Sequence, residues 1–132
     1  MLMVNMMPYL DTTSVETRFE IGPACIFLEN GLLSESGLIE NAAQTCAAIV
    51  GQSYFDDDDR EGERNGVIGY ISAIKKVEIY KRPKVHDTLV TKGKLLSRYD
   101  NDNFSVCTIE SSTFRKDELI VACTLNFLIH GT

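Results

Sequence analysis

No C-x-x-C pair occurs among the four cysteines of this chain, Cys25, Cys46, Cys107 and Cys123. Dispersed thiols of this kind read as small core hydrophobes of a reducing compartment, which leads us to expect a cytoplasmic protein. Positive charge is also scarce. Thirteen Lys and Arg face nineteen Asp and Glu, a net charge of -6 that argues against a general nucleic-acid binder. The opening MLMVNMMPYLD is apolar, but it has no Lys or Arg ahead of it and no small-residue cleavage site. It therefore does not read as a signal peptide. The run FDDDDREGERNG at 55–66 lacks the alternating ligands and closing glutamate of an EF-hand loop. We read it as solvated loop and expect no metal and no cofactor. No repeat and no second domain are visible, and residues 1–132 are expected to form one domain that buries about two-thirds of its unfolded surface.

The stretch SESGLIENAAQTCAAIVGQ, Ser34 to Gln52, lacks a polar face. Its length predicts a helix of about five turns, with Ser34 as N-cap and Gly51 as stop. Leu38, Ile39, Ala42, Ala43, Cys46, Ala47, Ala48, Ile49 and Val50 run almost all the way round it. A helix apolar all round is buried, and the interior Glu40, Asn41 and Gln44 make it a poor membrane span. It is expected to be the core of a domain, with the rest of the chain wrapped around it.

The polar exceptions carry the chemistry. Glu40 and Gln44 stand at i and i+4, so they share a face, with Asn41 beside them. Two readings stand for Glu40. In one, the helix surfaces there and the carboxylate bonds Gln44 or a first-turn amide. In the other, it lies in an apolar groove, poised for proton transfer. Gly37 costs a first turn roughly 1 kcal/mol against alanine, and close approach of a ligand is one reason to keep it.

Residues 1–12 form either a mobile start or a strap over the core. Ser14 to Ile21 alternates Val15, Thr17, Phe19 and Ile21 on one side, as a half-buried strand does. A turn at Glu29-Asn30-Gly31 precedes the helix. Four strands follow it: Val67 to Lys81, Thr88 to Tyr99, Phe104 to Phe114 and Leu119 to Ile129. Their three connections are short, so an antiparallel meander is expected. The fold class is α+β, an antiparallel sheet curled around one helix.

Strand, buried helix and four-stranded meander in about this length resemble the hotdog fold. Glu40-x-x-x-Gln44 within LIENAAQTCAA resembles the E-x-x-A-Q central-helix signature of the beta-hydroxyacyl-acyl-carrier-protein dehydratases. YKRPKVHDTL, Tyr80 to Leu89, resembles their R-P-V-x-P-G-D-x-L segment, with Arg82, Pro83, Val85 and Asp87 in register. The pre-helix segment FLENGLLSESGLIENAAQ is similar to that of dehydratases of aryl-polyene and related pigment-lipid pathways. The resemblance implies a 3-hydroxyacyl thioester dehydratase in fatty-acid or polyene-type synthesis, with Glu40 as catalytic carboxylate. The family's H-F-P-G histidine has no counterpart in ACIFLENGLLSE, and Pro-Gly is altered to Ser36-Gly37. His86 and His130 lie elsewhere in the chain and are expected at the surface.

The resemblance further implies a homodimer or dimer-based oligomer paired across Val67 to Lys81. The tunnel would then be lined by Phe27, Leu32, Leu33, Glu40 and residues Ile68 to Ser72 of the partner, Ile71 among them, with Gly37, Asn41 and Gln44 as further substrate contacts. A base supplied by a second hotdog protein would instead make a heterodimer. Eight of the thirteen basic residues fall between Lys75 and Arg98, among them Lys75, Lys76, Lys81, Arg82 and Lys84. They suit either the docking of an acidic acyl carrier protein or the guarding of strand edges. Two other readings remain open: a hotdog thioesterase with Glu40 activating water, and a non-catalytic acyl-binding subunit.

Overall fold

A computed structural model describes residues 1–55 and 67–131 of the chain. The acidic run at 56–66 lies outside the described residues. The elements are β1 (Met6–Leu10), β2 (Ser14–Glu20), β3 (Leu28–Glu29), β4 (Leu32–Leu33), α1 (Glu35–Phe55), β5 (Val67–Ile79), β6 (Thr88–Asp100), β7 (Phe104–Arg115) and β8 (Glu118–Gly131). Six strands form one antiparallel sheet in the order β1-β2-β6-β7-β8-β5, and β3 and β4 form a small hairpin. Among the described residues no helix is long and apolar enough to cross a membrane.

The helix forms where its apolar character predicts. Ser34 caps it, its Oγ accepting the Gly37 N–H at 3.1 Å. Gly51 does not stop it, and the helix runs to Phe55. A single glycine costs only about 1 kcal/mol in a helix interior and need not end the helix. Leu38, Ala42, Cys46 and Ile49 are essentially inaccessible against the sheet. Cys46, Ile49, Ile109 and Leu125 share one apolar cluster, and Leu38, Phe19, Leu89 and Ile120 another. Gly93 lets helix and sheet come close, since a Cβ there would sit 2.9 Å from Val15 and 3.5 Å from the Cys46 sulfur.

Two expectations about the sheet are corrected. β6, β7 and β8 do form a meander, but β5 pairs β8 and not β6. The place beside β6 is taken by β2, which pairs it from Ser14↔Lys94 to Glu20↔Thr88. β5 therefore goes to the far edge, and the connection 80–87 crosses the start of the helix. It is tied down there by Leu33 N–H to the Pro83 carbonyl (2.7 Å) and Val85 N–H to the Gly31 carbonyl (3.0 Å). The second correction concerns residues 1–12, where Met6–Leu10 form an edge strand on β2. Its register slips between Met6 and Tyr9, around Pro8, which can donate no ladder bond and is tolerated at an edge or a bulge.

The turn before the helix is an Asn-Gly hairpin. Asn30 (φ 55°) and Gly31 (φ 82°) are both left-handed, as a two-residue hairpin loop requires.

A polar seam crosses the interior between helix and sheet. Thr17, Asn41, Thr45, Thr91 and Thr113 are fully buried. Thr45 donates its only hydroxyl proton to the Asn41 carbonyl at 2.9 Å, so Thr17 is the donor in its 2.6 Å contact with Thr45. By the same count Thr91 donates to Asn41 Oδ1 at 2.7 Å, and Thr113 donates to Thr91 at 2.9 Å. Among the described residues no buried side-chain polar atom lacks a partner.

Candidate functional site

The site is built on the first three turns of α1. Glu40 and Gln44 lie one turn apart on the face turned away from the sheet, beside the exposed Ala47. Gln44 Nε2 donates to Glu40 Oε1 at 3.0 Å. Glu40 is half-buried and is hydrogen-bonded to Gln44 and to neither histidine. Within one chain the carboxylate is thus held by its i+4 neighbour on a half-buried face.

Residues 1–3 lie over this face as a strap. Met3 N–H donates to Gln44 Oε1 at 2.7 Å, and Gln44 Nε2 also donates to the Met1 carbonyl at 2.8 Å. Asn41 Nδ2 donates to the Met3 carbonyl at 2.7 Å. The Met3 side chain is fully buried in the cluster of Phe19, Ile21, Leu33 and Leu38, whereas Leu2 beside it is 72% exposed. The three bonds contribute roughly 1 kcal/mol each, and burying Met3 adds about 2 kcal/mol. Ordering three backbone residues costs roughly 1–2 kcal/mol each. The two sides come within a few kcal/mol of each other, so the strap is held without being locked.

The remaining predicted residues fall into three groups. Asn41 is committed to the strap and to Thr91, inside the core. Leu33 is fully buried, a core residue in the place where a tunnel wall was expected. Gly37 has a reason other than a ligand: a Cβ there would sit 2.8 Å from both Leu33 Cδ1 and Phe27 Cβ. Its N–H is taken by Ser34. Phe27 is half-buried and packs with Leu33, but Ile71 on β5 packs against the other cluster, beside Ala43 and Val50. Within one chain the structure therefore brings Phe27, Leu33, Gly37, Glu40, Asn41 and Gln44 together at the helix start, while Ile71, expected from a partner subunit, lies on β5. A strap was one of the two readings for residues 1–12, but nothing in MLMVNMM marks its main-chain contact with Gln44.

His86 is exposed in the turn after Pro83 and adopts φ 77°. His130 meets Tyr70 edge to face with ring centroids 6.0 Å apart. Cys46 is no alternative nucleophile, because burial first, and then neighbouring Cys123, push its thiol far up, against a smaller opposing bond from Ser111.

Three of the five basic residues between 75 and 84 are answered by acids, one on the same strand and two from distant segments. Lys76 pairs Glu78 at 3.0 Å, Lys81 pairs Glu118 at 2.5 Å and Arg82 pairs Glu29 at 2.8 Å. Arg82 Nε also donates to the Leu33 carbonyl at 2.9 Å, fixing the crossing segment to the helix start. Among the described residues Lys75 makes no ion pair, and Lys84 lies close enough to Asp87 to help lower that carboxyl.

Next to this patch Arg115 bridges Asp87 at 3.0 Å and Glu118 at 2.8 Å. Burial alone would push Asp87 up, but the Lys84 N–H and Arg115 together bring it below its ordinary value. Lys81 first, then Arg115, lower Glu118. A carboxylate depressed by folding stabilises the fold above its unfolded pKa, and that contribution is lost as pH falls through the folded value. Stability should therefore drop as the pH is taken below about 4. Urea midpoints of Asp87→Asn should lie below wild type at pH 7 and converge on it at pH 3; parallel midpoints across that range would refute the assignment.

No protein-family model matches the chain, and no curated protein matches it. Solved structures do. One is the dehydratase heterocomplex ApeI:P from Xenorhabdus doucetiae (TM-score 0.75, 15% identity, covering 99% of this chain and 83% of that one). Another is Cj0977, a sigma28-regulated virulence protein from Campylobacter jejuni (TM-score 0.71, 12% identity, 98% and 78%). A third is a hypothetical thioesterase with coenzyme A from Streptococcus pneumoniae TIGR4 (TM-score 0.68, 12% identity, 96% and 86%). The chain has the hotdog fold: an antiparallel sheet wrapped around one central helix.

Proposed function

We propose that this protein acts on acyl thioesters, as a dehydratase of 3-hydroxyacyl chains carried by acyl carrier protein, with Glu40 as its acid–base group. The observation that carries the reading is Glu40 in E-x-x-A-Q, half-buried on the outward face of the hotdog helix and held there by Gln44. Similarity to a dehydratase heterocomplex supports it. In the proposed reaction Glu40 takes the C2 proton, the C2=C3 double bond forms as the C3–O bond breaks, and the oxygen leaves as water with that proton. Lys75 and Lys84 are a modest attraction for an acidic carrier protein.

The protein is proposed to assemble through β5, an edge strand of thirteen residues with Tyr70 and Ile74 exposed. An unpaired edge of that length is a template for another chain. A second hotdog subunit seated there would be placed to bring the missing histidine.

Thioester hydrolysis is the second reading, favoured by the absence of any histidine bonded to Glu40 and by the similarity to a thioesterase. There Glu40 takes a proton from water, the hydroxide adds to the carbonyl, the C–S bond breaks and the thiol receives the proton. Mass spectrometry of 3-hydroxyacyl carrier protein incubated with the purified protein separates the outcomes. Loss of one water with the acyl chain retained supports dehydration, and free acid with bare carrier protein supports hydrolysis. An unchanged mass under both homodimeric and partner-supplemented conditions would overturn both readings.

A further inference from the structure

We propose that the strap of residues 1–3 is the positioning element for Glu40, acting through the side-chain amide of Gln44; this rests on the reading of Glu40 as the acid–base group. A glutamine amide can present either end, and what fixes it here is donor–acceptor logic. Met3 N–H is only a donor and bonds Gln44 Oε1 at 2.7 Å. The Met1 carbonyl is only an acceptor and bonds Gln44 Nε2 at 2.8 Å. Both contacts select the same orientation. In it only N–H can face Glu40, and Nε2 meets Oε1 at 3.0 Å.

The strap in turn is kept in register from the sheet. Asn41 Nδ2 holds the Met3 carbonyl, Thr91 holds Asn41 Oδ1, and Thr113 donates to Thr91. A directed chain of hydrogen bonds thus runs from β7 through β6 and the helix to main-chain groups of the strap, then out to one oxygen of the carboxylate. The second carboxylate oxygen has no hydrogen-bond partner among the described residues. It is the one left to face substrate, in a direction set by the bond to the first.

Without the strap, Gln44 keeps only its i+4 contact with Glu40, a pairing exposed side chains make and break freely. Gln44 is a positioning residue in this account, and so are the main-chain groups of Met1 and Met3. None of them touches the reacting atoms.

The test is Met3→Pro, which removes the donor to Gln44 Oε1, together with Gln44→Met, which removes the amide at nearly constant size. Leu96→Ala, at an exposed position on β6 outside the strap, is the control. If the strap positions Glu40, both variants lower kcat roughly ten- to a hundredfold, as small misplacements of a reacting group do. KM should stay within about twofold and Leu96→Ala should match wild type. Turnover unchanged in both variants, or a loss confined to KM, overturns the proposal. Should wild type prove inactive, the functional reading fails separately, and side-chain NMR still decides. A nuclear Overhauser contact between the Gln44 amide and Met3 N–H, with a Glu40 carboxylate carbon shift that moves in Met3→Pro, upholds the positioning. Absence of that contact, or an unmoved Glu40 signal, overturns it.

Discussion

Glu40→Gln is expected to lower turnover of the acyl thioester by about 10²–10⁴-fold while leaving the fold and acyl binding intact. The substitution changes one atom. A glutamine at position 40 can still accept the Gln44 Nε2 hydrogen bond through its carbonyl oxygen, so the contact that anchors the carboxylate survives. The side chain is half-buried on the outward face of the helix, away from both apolar clusters, so little packing is at stake. What is lost is the ability to take and return a proton. Glu40→Asp provides the complementary case. It keeps the acid but withdraws it by one methylene from Gln44, and should cost on the order of a hundredfold. Single-turnover assays by mass spectrometry, with binding followed separately, measure both. A Glu40→Gln protein retaining half of wild-type turnover would remove Glu40 from the mechanism.

Asn41→Leu, which keeps the number and branching of side-chain heavy atoms, is expected to destabilise the fold by about 2–4 kcal/mol. No large cavity opens. Instead the Met3 carbonyl loses its donor and the Thr91 hydroxyl loses its acceptor, the latter beneath the helix where water does not reach. The strap can lift and give its carbonyl to solvent, but Thr91 has no such escape. A lower urea midpoint with an unchanged slope is the expected signature. Were Asn41 instead a substrate contact, the midpoint would hold and KM would rise. The two outcomes separate a structural amide from a binding one.

The parts of this molecule that could be read from its sequence are those governed by local periodicity. The helix after Ser34, the inward alternation of Val15, Thr17 and Phe19, and the long strands from Val67 onward all follow from which residues share a face. The Asn30-Gly31 turn follows from the left-handed backbone those residues tolerate. Neighbour relations did not follow, because alternation tells which way a side chain points and not which strand lies alongside. Hence β5 was expected beside β6, a place that β2 occupies. The edge strand β1 was hidden by Pro8 and by its run of exposed apolar residues, which show no alternation. At the site, Glu40 and Gln44 were legible because their spacing alone makes them neighbours. Asn41 was not, since its partners are a strap 38 residues earlier and a strand 50 residues later. The same distance effect hid Glu29 and Glu118, which temper the basic stretch from positions far along the chain.

The seat of β2 beside β6 also constrains how the chain can be made. Paired residues there are between 68 and 80 positions apart, from Glu20↔Thr88 to Ser14↔Lys94. During synthesis the first hairpin and the whole apolar helix emerge with no sheet to join until β6 has left the ribosome. High contact order of this kind slows folding and leaves apolar surface uncovered meanwhile. The helix that later forms the core is thus, for that interval, the segment most in need of a chaperone.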